Sequence, residues 1–219
     1  MFDQITWNLS GAEIEAESFR RIDAEASPAL KKRFTPAEWH IVRRLIHTTA
    51  DFSIAENLEF HGNPVAAARN ALSRGAVIYC DSNMIKAGLS IPKLRKYHSI
   101  YSRESIVCPV ADHETAELAA REHITRALAA VRLHQKQIDG GIFLCGNAPL
   151  ALAETVRLTS EGIIRPAFLV GMPVGFVNVV ESKKLMDQID IPWIRLNGRR
   201  GGSPLAVAAL HAVMEDFAL

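Results

Sequence analysis

Five short apolar runs alternate with helical segments over the C-terminal two-thirds of this chain, and that alternation constrains the fold more than any other feature. The runs are Ala76–Cys80, Ile106–Val110, Ile142–Cys145, Ala167–Val170 and Pro192–Leu196. Apart from Arg195 in the last, they are continuously apolar, the pattern of a strand covered on both faces. Helical spacing runs through Ile85–Leu89 toward Tyr97, then Glu114–Gln137, Ala151–Ser160, Val179–Gln188 and Pro204–Phe217. Strands with interposed helices predict an α/β fold, a five-stranded parallel sheet between helical layers.

Helices precede the sheet. Thr35-Pro36-Ala37-Glu38 is a capping box with proline at the first helical position, followed by an apolar stripe of Ile41, Val42, Leu45 and Ile46. Asn63-Pro64 opens another helix, which Gly75 closes before the first run. With no repeat or linker in sight, one domain over 1–219 is expected, 1–75 a mainly helical lead-in and 76–219 the parallel core.

Charge narrows the partners. The 25 Lys and Arg balance 24 Asp and Glu for a formal charge of +1, which argues against nucleic acid and against an anionic membrane surface. The acidic N-terminus lacks the layout of a secretory signal, and the longest apolar run, Ala167–Val177, is too short to cross a bilayer. Cys80, Cys108 and Cys145 have no metal-ligand spacing and read as buried thiols. A cytoplasmic location is expected.

The residues that follow the strands are the unusual ones: Asp81-Ser82-Asn83-Met84, Gly146-Asn147-Ala148-Pro149, Gly171 to Val177 with Val174 and Gly175, and Gly198-Arg199-Arg200-Gly201-Gly202-Ser203. In open parallel sheets, ligands bind beyond the carboxyl ends of the strands. Four such clusters on one rim predict a binding cleft, although each alone also reads as a tight turn. The Gly198–Ser203 segment suits a carboxylate or phosphate, or else is a solvated turn with exposed arginines. It is not a P-loop, and no turn matches the dinucleotide fingerprint.

His47 is the leading acid–base candidate among eight histidines. Arg43 and Asp51 stand four residues to either side, positions that share its face if the helix continues and that would tune an imidazole. Arg126 follows Thr125 and is flanked by Ala127, Ala129 and Ala130, which would let a ligand or another helix approach. The competing reading pairs it with Glu122. No H-x-x-x-H or H-E-x-x-H pair points to a metal, and no G-x-S-x-G elbow is present.

These residues, in this order and spacing, resemble the precorrin-8X methylmutase family of cobalamin biosynthesis. The resemblance runs from about Glu13 to the C-terminus, through Glu17-Ser18-Phe19, Ile22 and Glu25, Arg44–Asp51, Cys80-Asp81 with Met84 and Gly88, and Thr125-Arg126. It continues in Gly146–Leu150, Gly171–Val177 with Glu181-Ser182-Lys183, and Gly198–Ser203. The chain departs from the family pattern at Ala127, where many members carry Ser, and at Ser82-Asn83, where an apolar residue is more usual.

The resemblance implies a three-layer flavodoxin-like α/β/α domain that forms a homodimer. It implies an isomerase that moves a methyl group from C-11 to C-12 of a corrin-type tetrapyrrole, precorrin-8X or cobalt-precorrin-8. The family's proton-transferring histidine matches His47, and its substrate-contacting Ser and Arg match Ser18 and Arg126. The rims contribute Thr48, Asp81, Asn147, Val174, Gly175, Arg199, Gly201 and Gly202 as further substrate-binding candidates. Such a shift needs a placed proton rather than a redox cofactor, so no cofactor and no metal are expected. Two alternatives use the same cleft: a non-catalytic tetrapyrrole carrier, and an unrelated α/β enzyme holding a phosphate at Gly198–Ser203.

Overall fold

A computed structural model describes Phe2 and residues 5–215. The N-terminal part builds helices α1 (Gly11–Glu25), α2 (Pro28–Lys31) and α3 (Pro36–Thr49), strand β1 (Leu58–His61) and α4 (Pro64–Ser73). Then come β2 (Ile78–Cys80), α5 (Asn83–Gly88), α6 (Ile91–Arg95), β3 (Ile106–Val107), α7 (His113–Glu122), α8 (Arg126–Leu133) and α9 (Gln135–Ile138). The chain ends in β4 (Ile142–Cys145), α10 (Pro149–Ser160), β5 (Phe168–Gly171), α11 (Val179–Lys184), β6 (Trp193–Leu196) and α12 (Ser203–Val213).

The result is a mixed α/β fold around a six-stranded sheet of order β1-β6-β5-β4-β2-β3. All five apolar runs contribute strands, and these pair in parallel. The sheet departs from expectation by one strand: β1 adds an antiparallel edge, with Leu58 opposite Leu196 and His61 opposite Trp193. Its four residues, Leu-Glu-Phe-His, bury one side only, so they carry no continuous apolar run.

Strand side chains alternate between two cores, as a pleated strand requires. Ile78, Cys80, Ile142, Leu144, Phe168, Val170, Ile194 and Leu196 meet α3, α4, α5 and α12. Tyr79, Phe143, Cys145, Leu169 and Trp193 meet α8, α9 and α10 on the opposite face. Each fully buried Ile, Leu, Val or Phe contributes about 1.5–3 kcal/mol relative to exposure, which explains the continuous apolar runs.

Three expected helices are divided. The segment 114–137 breaks twice: His123 turns left-handed at φ 54° and the Thr125 hydroxyl accepts from Leu128 N–H to start α8, and His134 separates α8 from α9. The stretch from 85 toward 97 is split by Ser90, which caps α6. The 179–188 segment finishes as a 3-10 turn at Leu185–Gln188. The last helix, expected over 204–217, ends at Val213, and positions 216–217 lie outside the described residues. Both N-terminal caps form as the sequence predicts, at Thr35 and Asn63.

Candidate active site

The four loops after β2, β4, β5 and β6 come together at one rim. The Ser82 hydroxyl lies 2.8 Å from that of Ser203, Gly202 N–H donates to Met172 O at 2.8 Å, and Gly175 N–H donates to Arg199 O at 3.2 Å. This contact is close enough to demand glycine. A Cβ on Gly201 would sit 2.2 Å from Met172 O, and one on Gly146 would sit 2.7 Å from the Ser203 backbone.

Asp81 is where sequence expectation and structure part. It is 3% exposed, and its carboxylate turns inward onto the next loop. It accepts from the backbone N–H groups of Gly146, Asn147 and Ala148 at 3.1, 2.7 and 2.6 Å, and from the Cys145 thiol. Burial pushes its pKa up, and the backbone donors pull against that rise. Sheet order reverses between β2 and β4, the place where doubly wound proteins hold ligands, and here the chain's own carboxylate fills it. Asp81 therefore shapes the rim from behind.

Lys183 holds the neighbouring loop. Fully buried, it donates to Gly198 O at 2.8 Å and Arg200 O at 2.7 Å, and burial lowers its pKa to about 8. The two arginines of that loop differ: Arg200 pairs with Asp51 at 2.8 Å, whereas Arg199 lies over the Phe176 ring at 5.4 Å. Val174, Phe176 and Val177 stand exposed nearby, Phe176 at 84% and Val177 at 74%.

Two cavities flank this rim. The first, about 570 Å³, is walled by Arg44, His47 and Thr48 of α3, Met84 and Gly88 of α5, and a stripe of α12 that includes Val207 and His211. The second, about 440 Å³, lies at the α8–α10 side, lined by Thr125, Ala127, Asn147, Leu150, Val177 and neighbours. Arg126, exposed, heads α8 beside it.

The surroundings of His47 differ from those expected. Ala50 turns left-handed at φ 51°, so the helix stops before Asp51, which instead accepts from Ser53 N–H and pairs with Arg200. Arg43 pairs with Asp23 at 2.6 Å and contacts His40. His47 packs edge-on against Phe19, ring centroids 5.4 Å apart. Among the described residues neither of its ring nitrogens has a hydrogen-bond partner, so both are free for a ligand. Ser18, next to Phe19 on α1, donates back to Ile14 O at 2.8 Å.

The pairing of Arg126 with Glu122 does not form, because α7 ends at Glu122 and Glu122 bonds Arg132 at 3.0 Å. Of the alanines after Arg126, Ala129 and Ala130 are buried within the chain, whereas Ala127 lines the second cavity. Sequence reasoning placed Met84 at the cleft but missed His211 and Val207 as cavity walls, since only the packing of α12 against α3 and α5 makes them neighbours.

The sequence model of the precorrin-8X methylmutase family matches residues 13–216. The chain belongs to this family. Its members are isomerases of cobalamin biosynthesis that move a methyl group within one molecule, so this chain is an intramolecular methyl-transferring enzyme. It is 37% identical over 201 residues to a cobalt-precorrin-8 methylmutase of Priestia megaterium, covering 92% of this chain and 86% of that one. It is 32% identical to a precorrin-8X methylmutase of Pseudomonas aeruginosa, over 97% of this chain and 99% of that one. A solved precorrin-8X methylmutase structure from Thermus thermophilus superposes with a TM-score of 0.82 at 42% identity, covering 93% and 95% of the two chains. The resemblance read from the motifs is borne out. No helix among the described residues is long and apolar enough to cross a membrane.

Proposed function

We propose that this chain moves a methyl group from C-11 to C-12 of precorrin-8X or cobalt-precorrin-8, with His47 giving and retaking the proton. The observation that carries this reading is an imidazole free at both nitrogens on the wall of a 570 Å³ cavity. The neighbouring cation of Arg44 is neutralised by Glu15 and Glu215, which leaves His47 as the unengaged proton carrier of that wall. The shift conserves mass, so the proton taken up at one ring position leaves from another. General acid–base catalysis of this kind is worth ~10²–10⁴-fold.

Around the reacting centre, Ser18, Thr48, Arg126, Asn147, Val174, Gly175, Arg199, Gly201 and Gly202 hold the carboxylate-rich macrocycle, through N–H groups, hydroxyls and guanidinium. Asp81 supports that rim from behind. The strand order β3-β2-β4-β5-β6 supports a flavodoxin-like parallel part, one domain with β1 as an added edge. Exposed Phe176 and Val177 support a homodimer, in which a second copy helps enclose so wide a ligand. Light scattering returning a monomer at micromolar concentration would overturn the dimer. A cytoplasmic location fits a soluble pathway intermediate.

Anaerobic incubation of the enzyme with precorrin-8X and with cobalt-precorrin-8, side by side, tests the reaction. The expected result is an absorption change without a mass change for at least one of them. Binding of both without conversion would favour a carrier and overturn the reading.

A further inference from the structure

His211 lies on the same wall-forming stripe of α12 as Pro204, Val207 and Ala208, and lines the cavity that holds His47. Its Nε2 accepts the backbone N–H of Ser90, the cap of α6, at 3.1 Å. An accepting Nε2 carries no hydrogen, so the ring's proton sits on Nδ1. Among the described residues Nδ1 has no partner.

The other polar side-chain groups of the cavity are either engaged or buried out of reach. Arg44 gives Nη1 to Glu15 and Nη2 to Glu215, and its Nε is buried without a partner. The Thr48 hydroxyl donates to Arg44 O at 2.8 Å. Two imidazoles therefore supply the accessible free side-chain nitrogens of this wall, and they line one cavity.

We propose that His211 is a second substrate-contacting residue, donating through Nδ1–H to a carboxylate or carbonyl oxygen on the rim of the macrocycle while His47 handles the proton. This rests on the methyl-shift reading of the same cavity. The roles divide because the two rings differ in their fixtures. His47 is free at both nitrogens and can exchange a proton, whereas His211 is locked in one tautomer by Ser90. Burial also lowers the His211 pKa to about 4, with Lys93 and Arg44 reinforcing and Glu215 opposing, so the ring stays a neutral donor.

Amide substitutions separate a binding role from a structural one. In His211→Asn the side-chain NH₂ takes the place of Nδ1–H and the Ser90 bond is lost. In His211→Gln the amide oxygen replaces Nε2 and keeps the Ser90 bond, but the donor is lost. His211→Leu removes both.

Steady-state kinetics on whichever precorrin the native enzyme converts should give KM about tenfold higher for His211→Gln and His211→Leu, with kcat within threefold. His211→Asn should keep KM within about twofold, although its thermal midpoint falls below that of His211→Gln. Native KM in His211→Leu, or a KM that follows the Ser90 bond rather than the donor, would overturn the proposal. Equilibrium titration with the corrin product should rank the variants in the same order without turnover. Absence of turnover in the native enzyme with that ranking intact would count against the methyl shift alone, not against His211 as a contact.

Discussion

The two cavities beside the rim are built from different materials. The first is walled by the faces of three helices and exposes two imidazoles; the second is walled by loop and helix-start residues such as Ala127, Ala148, Pro149 and Leu150, with no titratable side chain in its lining. The first adds titratable groups to its contacts, whereas the second offers shape and contacts alone. Between them Asp81 occupies the switch point, where its buried carboxylate holds the Gly146–Ala148 loop that lines the second.

Removing that support should have the largest effect on stability. Asp81→Ala leaves three backbone N–H groups unpaired, and unpaired buried donors cost ~1–3 kcal/mol each, so a loss of about 3 kcal/mol or more is expected in urea unfolding. A variant as stable as the native protein would break the idea that Asp81 supports this loop.

A smaller loss is expected behind the first cavity alone. Burial pushes the Glu215 carboxyl up, but hydrogen bonds from His40, Arg44 and Lys93 outweigh it and hold it well below the ordinary glutamate value. Glu215→Gln should cost about 2 kcal/mol at neutral pH, the range for a partly buried ion cluster losing one member. Because the folded-state pKa is depressed, the native advantage is complete above the unfolded value of about 4.5 and fades as pH falls below it. Unfolding midpoints at pH 7 and pH 3 check this: the gap between native and variant should narrow in acid. A gap independent of pH would show that Glu215 acts by packing rather than charge.

Beside the second cavity the effect should fall on binding only. Arg126 is exposed, so Arg126→Ala should leave the thermal midpoint within about 1 °C while raising KM about tenfold, with kcat nearly unchanged. A fall in kcat with native KM would place Arg126 in the chemistry and blur the contrast between the cavities.

Much of this architecture was legible in the sequence because burial on both sheet faces leaves continuous apolar runs, and because caps at Thr35 and Asn63 use side chains with local partners. What escaped depended on tertiary packing. Strand β1 buries one face only, and the break near His123 carries no glycine or proline to mark it. Asp81 stood out by position, yet its direction could not be read: a carboxylate after a strand points outward or inward according to which N–H groups the next loop supplies. The partners of His47 were misassigned for a similar reason, since Asp51 shares its helix face only if the helix passes Ala50. His211 was invisible as a cavity residue until α12 was set against α3.

Single-turnover mixing of His47→Ala, in excess, with the precorrin that the native enzyme converts tests the division of labour most directly. The expected trace shows binding of the macrocycle close to native affinity, followed by an isomerisation step slowed ~10²–10⁴-fold in the absorption record. Conversion at the native rate would contradict His47 as the proton carrier and move the chemistry out of the first cavity.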